Sequence, residues 1–400
     1  MEKIKLHRNI PLLFIIRICR AITINLIWTT WPLFVQSLGA TVYETSLVWS
    51  LSALIGIVLA IPLSMFSDRF GRKTAILLGL AFIIIPNFAY TFITGWGQLI
   101  PFRMMANLTN LLYMPAEAAM IADISVSATR GRMFGIVGVA HPIGSIVAPL
   151  LGGIILDAYG WNAVFYAIVL AAVLAIIPSL LLTETRGRTV TVTKPREERK
   201  RFSLTKVVSR IDLIFLTPLI IFAVFNFFRG ISMGMSQVTP IYLDERFRAT
   251  SFQQGLFFSV GTMVPFLFVQ LLGGWLADKY SRRKIILVST ALWPFLMVFW
   301  PSMASYEHLL LLQMVLTVTR FSMPAVQAYL QDFTDPARRA LAVGIINIGM
   351  TMGGAVVATT LLGYLYEQYG QAIPFYAAGV FILPAIPVFM LLKTPKNAKG

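Results

Sequence analysis

Six charged side chains stand inside stretches that otherwise read as lipid-soluble: Arg17, Arg20, Arg103, Glu117, Arg229 and Arg320. A charge placed in hydrocarbon costs at least ~2.5–3.5 kcal/mol on insertion scales, so each needs water or a partner. Arginine forks match carboxylates and phosphates, so this excess of arginine over acid favours an anionic solute and repels cations. Glu117 is the sole carboxylate within these stretches and the one group placed to carry a proton. A substrate competing with it for an arginine would switch its protonation. A static ion pair is the alternative. His141, followed by Pro142, is a reserve titrating group, or simply a packed neutral histidine.

Spacing sorts these residues onto faces. Arg103, Asn107, Asn110, Met114 and Glu117 fall at i, i+4, i+7, i+11 and i+14, one side of a helix. Thr317, Arg320, Pro324, Gln327 and Gln331 form a second line, and Asn226, Arg229, Met233 and Ser236 a third. The expectation is that these lines face a hydrated hollow. The expected substrate-binding residues are Arg20, Arg103, Asn107 and Asn110, with Asn226, Arg229, Arg320 and Gln327. Glu117 lies roughly 9 Å from Asp123 along the helix and Arg17 and Arg20 enter roughly 10–15 Å from the same side. Glu117 is therefore within reach of either arginine. Arg17 and Arg103 could instead snorkel to the membrane interface, whereas Arg20, Arg229 and Arg320 are too central to do so.

The elements that must position these groups are membrane spans. The 400-residue chain is 57% hydrophobic and 12% charged, half the charge of a soluble domain at about 25%. Breaks at charges, Gly and Pro divide it into twelve spans near 10–35, 45–66, 74–94, 98–121, 133–156, 162–182, 216–241, 252–276, 285–303, 308–331, 341–364 and 373–392. The chain thus reads as an all-α polytopic membrane protein. With the N-terminus cytoplasmic, 26 of the 33 lysines and arginines fall on the cytoplasmic side. That asymmetry predicts both termini in the cytoplasm and a plasma-membrane location. The net charge of +16 is then a topology signal and implies no nucleic-acid partner. A polar segment, 186–210, divides the chain into units 1–185 and 211–400, and suits a solvated linker meeting anionic lipid as well as any partner. Cys19 alone excludes a disulfide framework, and three scattered histidines offer no metal site. No cleavable signal peptide is expected, because the run 10–35 is too long for one.

The two units repeat each other. "MPAEAAMIAD" (114–123) recurs as "MPAVQAYLQD" (323–332), "SDRFGRK" (67–73) as "ADKYSRRK" (277–284), and "YGWNAVFYA" (159–167) as "YGQAIPFYA" (369–377). The displacement is 209 or 210 residues throughout. A six-span unit has been duplicated in tandem, which places a pseudo-twofold axis along the membrane normal and a site between the halves.

In these loops the chain resembles the major facilitator superfamily of transporters, closest in motif pattern to its proton-coupled drug exporters. Asp68, Arg69, Gly71, Arg72 and Lys73 match the family's signature between spans 2 and 3, with Ser64 replacing its leading glycine. The second copy keeps Gly274, Leu276 and Asp278 and departs at Ser281. The tight turn needs a residue tolerant of positive φ, which Gly71 supplies. The resemblance implies that spans 1, 4, 7 and 10 line a central cavity. It also implies that Asp68 faces the N-terminus of span 11, and that Arg72 pairs with Asp123. Asp278, Arg282 and Asp332 are the corresponding gating candidates of the second copy. Plain loop charges with only topological value are the alternative. Gly135, Gly144, Pro149, Gly152 and Gly153 match the family's span 5 motif, commoner in exporters. Close helix packing would also account for them.

These readings converge on a secondary transporter, with protons as the coupling ion and no cofactor, and the resemblance implies a monomer. It would export amphipathic, on the arginine count anionic, small molecules. An organic-anion symporter or facilitator is the alternative, and a non-transporting receptor or scaffold the alternative of another class. There is no phosphate-binding ATPase loop and no nucleophile–base constellation, so neither ATP drive nor an enzyme is expected.

Overall fold

The computed structural model describes residues 7–126, 129–185, 213–334 and 339–392. The linker 186–210 lies outside the described residues, as do the side chains of Asp68, Met233, Gln331 and Asp332.

Twelve transmembrane helices form two six-helix bundles related by a pseudo-twofold axis. In the first half they are α1 (Asn9–Trp28, continued by Trp31–Ser37), α2 (Val42–Phe70), α3 (Arg72–Tyr90) and α4 (Leu99–Ile124). Helices α5 and α6 make one 51-residue run, Arg130–Leu180, whose backbone leaves helical geometry at Gly160 (φ 76). In the second half α7 comprises Leu213–Met233 and Thr239–Phe247, and α8 Ser251–Phe258 and Val264–Lys279. Then come α9 (Arg282–Met297) and α10 (Tyr306–Val318, Met323–Phe333). Helix α11 comprises Arg339–Thr351 and Thr359–Tyr369, and α12 Ile373–Ile382 and Ala385–Met390. Among the described residues ten helical stretches are long and apolar enough to cross a bilayer on composition alone, and α4 is not one of them. Its polar line is what disqualifies it.

Each half packs its own apolar core. One cluster includes Ile10, Leu13, Trp31, Tyr90 and Phe165, and the other Phe222, Phe225, Trp300, Phe375 and Phe389. Aromatic rings carry much of this burial: Phe34 meets Phe165 edge-on at 4.7 Å, and Trp300 stacks on Phe375 at 5.5 Å. Large apolar side chains such as Leu170, Phe268 and Leu271 are exposed. On a spanning bundle that is the lipid-facing perimeter.

The halves meet where α2 packs on α11 and α5 packs on α8. Both second-half partners contain a π-helical turn, Ser259–Met263 in α8 and Met352–Ala358 in α11. A π-turn marks one inserted residue, and the repeat register agrees. Thr41 and Thr250 are 209 apart, but Asp68 and Asp278, at the far ends of α2 and α8, are 210 apart. Likewise Gly144 and Gly353 are 209 apart, and Gly153 and Gly363 are 210 apart. The two values of the displacement are these two extra residues. Helices α2 and α5 have no such turn.

Candidate functional site

In the first half the polar line of α4 turns toward α1 and α2. Arg17 Nη1 stands 2.6 Å from Glu117 Oε2, and the Tyr113 hydroxyl donates to Glu117 Oε1 at 2.8 Å. Glu117 is 2% exposed and Arg17 18%, so the carboxylate is sealed within the bundle while the arginine is half-buried. Arg20, also buried, donates to Asn110 Oδ1 and approaches Met114 Sδ at 3.7 Å. Its guanidinium lies 4.3 Å from the Tyr113 ring centroid, a cation–π contact. Asn107 donates to the Ser52 carbonyl of α2 at 2.7 Å. Arg103 is held over the rings of Trp31 and Trp49, 4.4 Å from each centroid. The line is therefore only partly open. Asn110 and Met114 are exposed, whereas the Glu117 end is closed off. His141 shares a hydrogen bond with Ser145, which in turn accepts from Asn25 of α1.

The second half builds a cavity at the equivalent place. Its walls include Asn226 and Arg229 of α7, Trp293 of α9, Arg320 and Gln327 of α10, and Asn347 of α11. Arg229 donates toward Met323 Sδ at 3.5 Å. Arg20 and Arg229 are 209 residues apart, and so are Met114 and Met323. The duplication has kept an arginine-to-methionine contact in both halves.

On one side of the membrane the halves are fastened together. The Asp157 carboxylate, at the end of α5, accepts from the backbone N–H groups of Ser251 and Phe252 at 3.0 and 2.9 Å, capping α8. Glu367, at the end of α11, accepts from Tyr43 N–H at the start of α2, at 3.0 Å. Deeper in, Ser50 bonds Thr359 and Thr360 hydroxyls at 2.7 Å, and the Ser259 hydroxyl donates to the Ile146 carbonyl. Glycines permit the approach. A Cβ on Gly153 would meet Ser251 backbone, and one on Gly363 would meet Ser46. Gly144 and Gly152 lie against α1 instead, at Ala21 and Leu26, Pro149 meets Gly255, and Gly135 faces open space.

The signature loop occupies the opposite side. Gly71 has φ 108 and ψ 155. Arg72 Nε lies 3.3 Å from Asp123 Oδ2, and the Thr185 hydroxyl donates to the same oxygen. Glu184, beyond α6, accepts from the N–H groups of Arg72 and Lys73 at the start of α3. Lys73 Nζ donates to the Leu180 carbonyl, and its counterpart Arg283 to that of Met390. Asp278 is exposed and Arg282 half-buried. Tyr113, Asp157, Glu184 and Glu367 were not singled out by spacing. The two fastening carboxylates could have been found, since each stands just before the repeated Tyr-Gly of its half.

The Major Facilitator Superfamily profile matches residues 13–264 and 226–400. The chain belongs to the Major Facilitator Superfamily. It is similar to a tetracycline resistance protein, class H, of Pasteurella multocida, 23% identical over 97% of this chain and 96% of that one. A cis,cis-muconate transport protein of Acinetobacter baylyi is 24% identical over 81% and 79% of the two chains. Among solved structures, a bacterial homolog of the human lysosomal transporter Spinster, in an inward-facing and unoccupied conformation, superposes with a TM-score of 0.79. It is 14% identical and covers 97% of each chain. As a Major Facilitator Superfamily member the chain is a multi-pass membrane protein.

Proposed function

We propose that this protein is a secondary transporter working by alternating access, with residues 1–185 and 211–400 as the moving units. It exports amphipathic small molecules in exchange for protons. The carrying observation is the Arg17–Glu117 pair: the one buried carboxylate among the described residues, whose proton affinity depends on whether its arginine is engaged. The fastening of the halves on one side, by hydrogen bonds between described residues, supports a gate there. Positive-inside topology assigns that side to the exterior and both termini to the cytoplasm. Similarity to a tetracycline resistance protein supports export.

Similarity to a muconate transport protein and the arginine-lined second-half cavity favour a second reading, an organic-anion symporter or facilitator. The relatives reported give no support to a scaffold. Counterflow in proteoliposomes decides, using labelled organic anions and lipophilic cations with and without a pH gradient. An exporter shows saturable exchange that an imposed gradient drives against concentration. Exchange indifferent to the gradient would leave the facilitator reading, and no exchange of any solute would overturn both.

A further inference from the structure

The seams between the halves change partners part-way through the membrane. Outward, the Ser251–Phe258 segment of α8 packs on α5, and the Thr359–Tyr369 segment of α11 packs on α2. Inward, the Val264–Lys279 segment of α8 turns to α10, and the Arg339–Thr351 segment of α11 turns to α7. A buried serine stands at each change. Ser50 Oγ of α2 lies 3.1 Å from the Val356 carbonyl of α11, and the Ser259 hydroxyl of α8 donates to the Ile146 carbonyl of α5 at 2.7 Å. The two serines are 209 residues apart and the two acceptors 210. The duplication has therefore kept one contact on both seams, with the halves exchanging the roles of donor and acceptor. Each contact also involves a π-turn, since Val356 lies within that of α11 and Ser259 opens that of α8.

We infer that Ser50 and Ser259 are the pivots on which the halves rock, two hydroxyl–carbonyl contacts that stay made while everything outward of them parts. The inference rests on the alternating-access reading. Each serine lies eight residues in from the start of its helix, where Glu367 and Asp157 bind across the seam. Eight residues are about 12 Å of helix. At that radius a rotation of about 15° carries a cap about 3 Å, enough to break it. The same rotation tilts a bond on the axis by about 15°, and hydrogen bonds weaken steeply only below about 120°. The pivots survive a movement that the caps do not. The chemistry suits a bearing. Ser50 Oγ is also 2.9 Å from the Ser46 carbonyl of its own helix and 2.7 Å from the Thr359 and Thr360 hydroxyls. Turning therefore trades one partner for another and strands no buried polar group. A carbonyl has two lone pairs, so Ile146 and Val356 can serve their own helix and the other half together.

The test uses the purified full chain in nanodiscs, in a Cys19→Ser background, with hydrogen–deuterium exchange as the readout, so no solute is needed. One cross-link joins Ser50→Cys to Thr360→Cys at the pivot. The other joins Tyr43→Cys to Tyr364→Cys at the outer rim, where the native rings are 6.1 Å apart. A short bifunctional methanethiosulfonate closes each, and the same variant before closure is its reference. Both links lie on the α2–α11 seam, so exchange is followed on the other seam, in the outer turns of α5 and α8. The rim link should slow exchange there about fivefold or more by holding the gate shut, and the pivot link should leave it within about twofold. Slowing by the pivot link equal to that by the rim link would overturn the pivots and leave the transporter reading intact. Exchange that the rim link does not alter would mean that the outer side never opens as a unit, which sinks alternating access and the pivots with it.

Discussion

Asp157 and Glu367 stand 210 residues apart at one position of the duplicated unit, and each caps the first turn of a helix in the opposite half. The caps are reciprocal, and the helices capped, α8 and α2, are themselves repeat equivalents. Both also begin with an internal capping box, Thr250 with Gln253 and Thr41 with Glu44. Side-chain caps are worth roughly 0.5–2 kcal/mol each. Two of them, acting across a joint, bias closure by an amount within the range of a solute's binding energy.

The combined variant Asp157→Asn and Glu367→Gln should therefore open the outer side more often. Ser46 is buried beneath Gly363 there. In a Ser46→Cys background, labelling from outside by a membrane-impermeant maleimide should accelerate about fivefold or more, as expected for roughly 1 kcal/mol. An unchanged labelling rate would remove the caps from the gate.

The span 5 glycines should separate by what faces them. Gly153→Ala puts a methyl into Ser251 backbone and should cut the transport rate severalfold at normal expression. Gly135→Ala meets nothing within 4 Å and should be tolerated. Equal effects from the two would mean that helix propensity, and not closure, explains the motif.

Glu117→Gln should abolish acceleration by a pH gradient. It also leaves the half-buried Arg17 beside a neutral amide; breaking a fully buried pair costs about 3–5 kcal/mol, and the partial exposure of Arg17 lowers that. The thermal midpoint should fall, and the second change Arg17→Gln should recover part of it. Gradient-driven transport surviving in Glu117→Gln would exclude the coupling role.

At Gly71 the backbone occupies a region open almost only to glycine. A Cβ there would also strike the Glu184 carboxylate that caps α3. Gly71→Ala should destabilise by about 1–3 kcal/mol, read as a lower midpoint. Asp68→Asn should impair transport while expression stays intact, and unchanged transport would remove Asp68 from the cytoplasmic gate.

The spans, the duplication and the fold were legible because membrane helices announce themselves in hydropathy and repeats in register. Depth counting put Glu117 within reach of Arg17 and Arg20 alike, and the structure pairs it with Arg17. Arg103 was harder. Its spacing placed it on the polar face of α4, but Trp31 and Trp49 come from the end of span 1 and from α2. Nothing in the α4 sequence announces those rings. Glu184 escaped notice for a similar reason, since its partners are backbone N–H groups of α3 and leave no trace in residue types. The cavity beside Arg320 is walled by side chains of α7, α9, α10 and α11, which spacing within any one helix does not bring together.

The π-turns of α8 and α11 give the molecule an uneven joint. Both belong to the later copy, and both rest against partners of the earlier one that have no such turn, so the seam pairs a widened strut with a regular one on each flank. Rocking strain should collect in those widened coils, leaving the bundle that guards the ion pair to swing as a rigid lever.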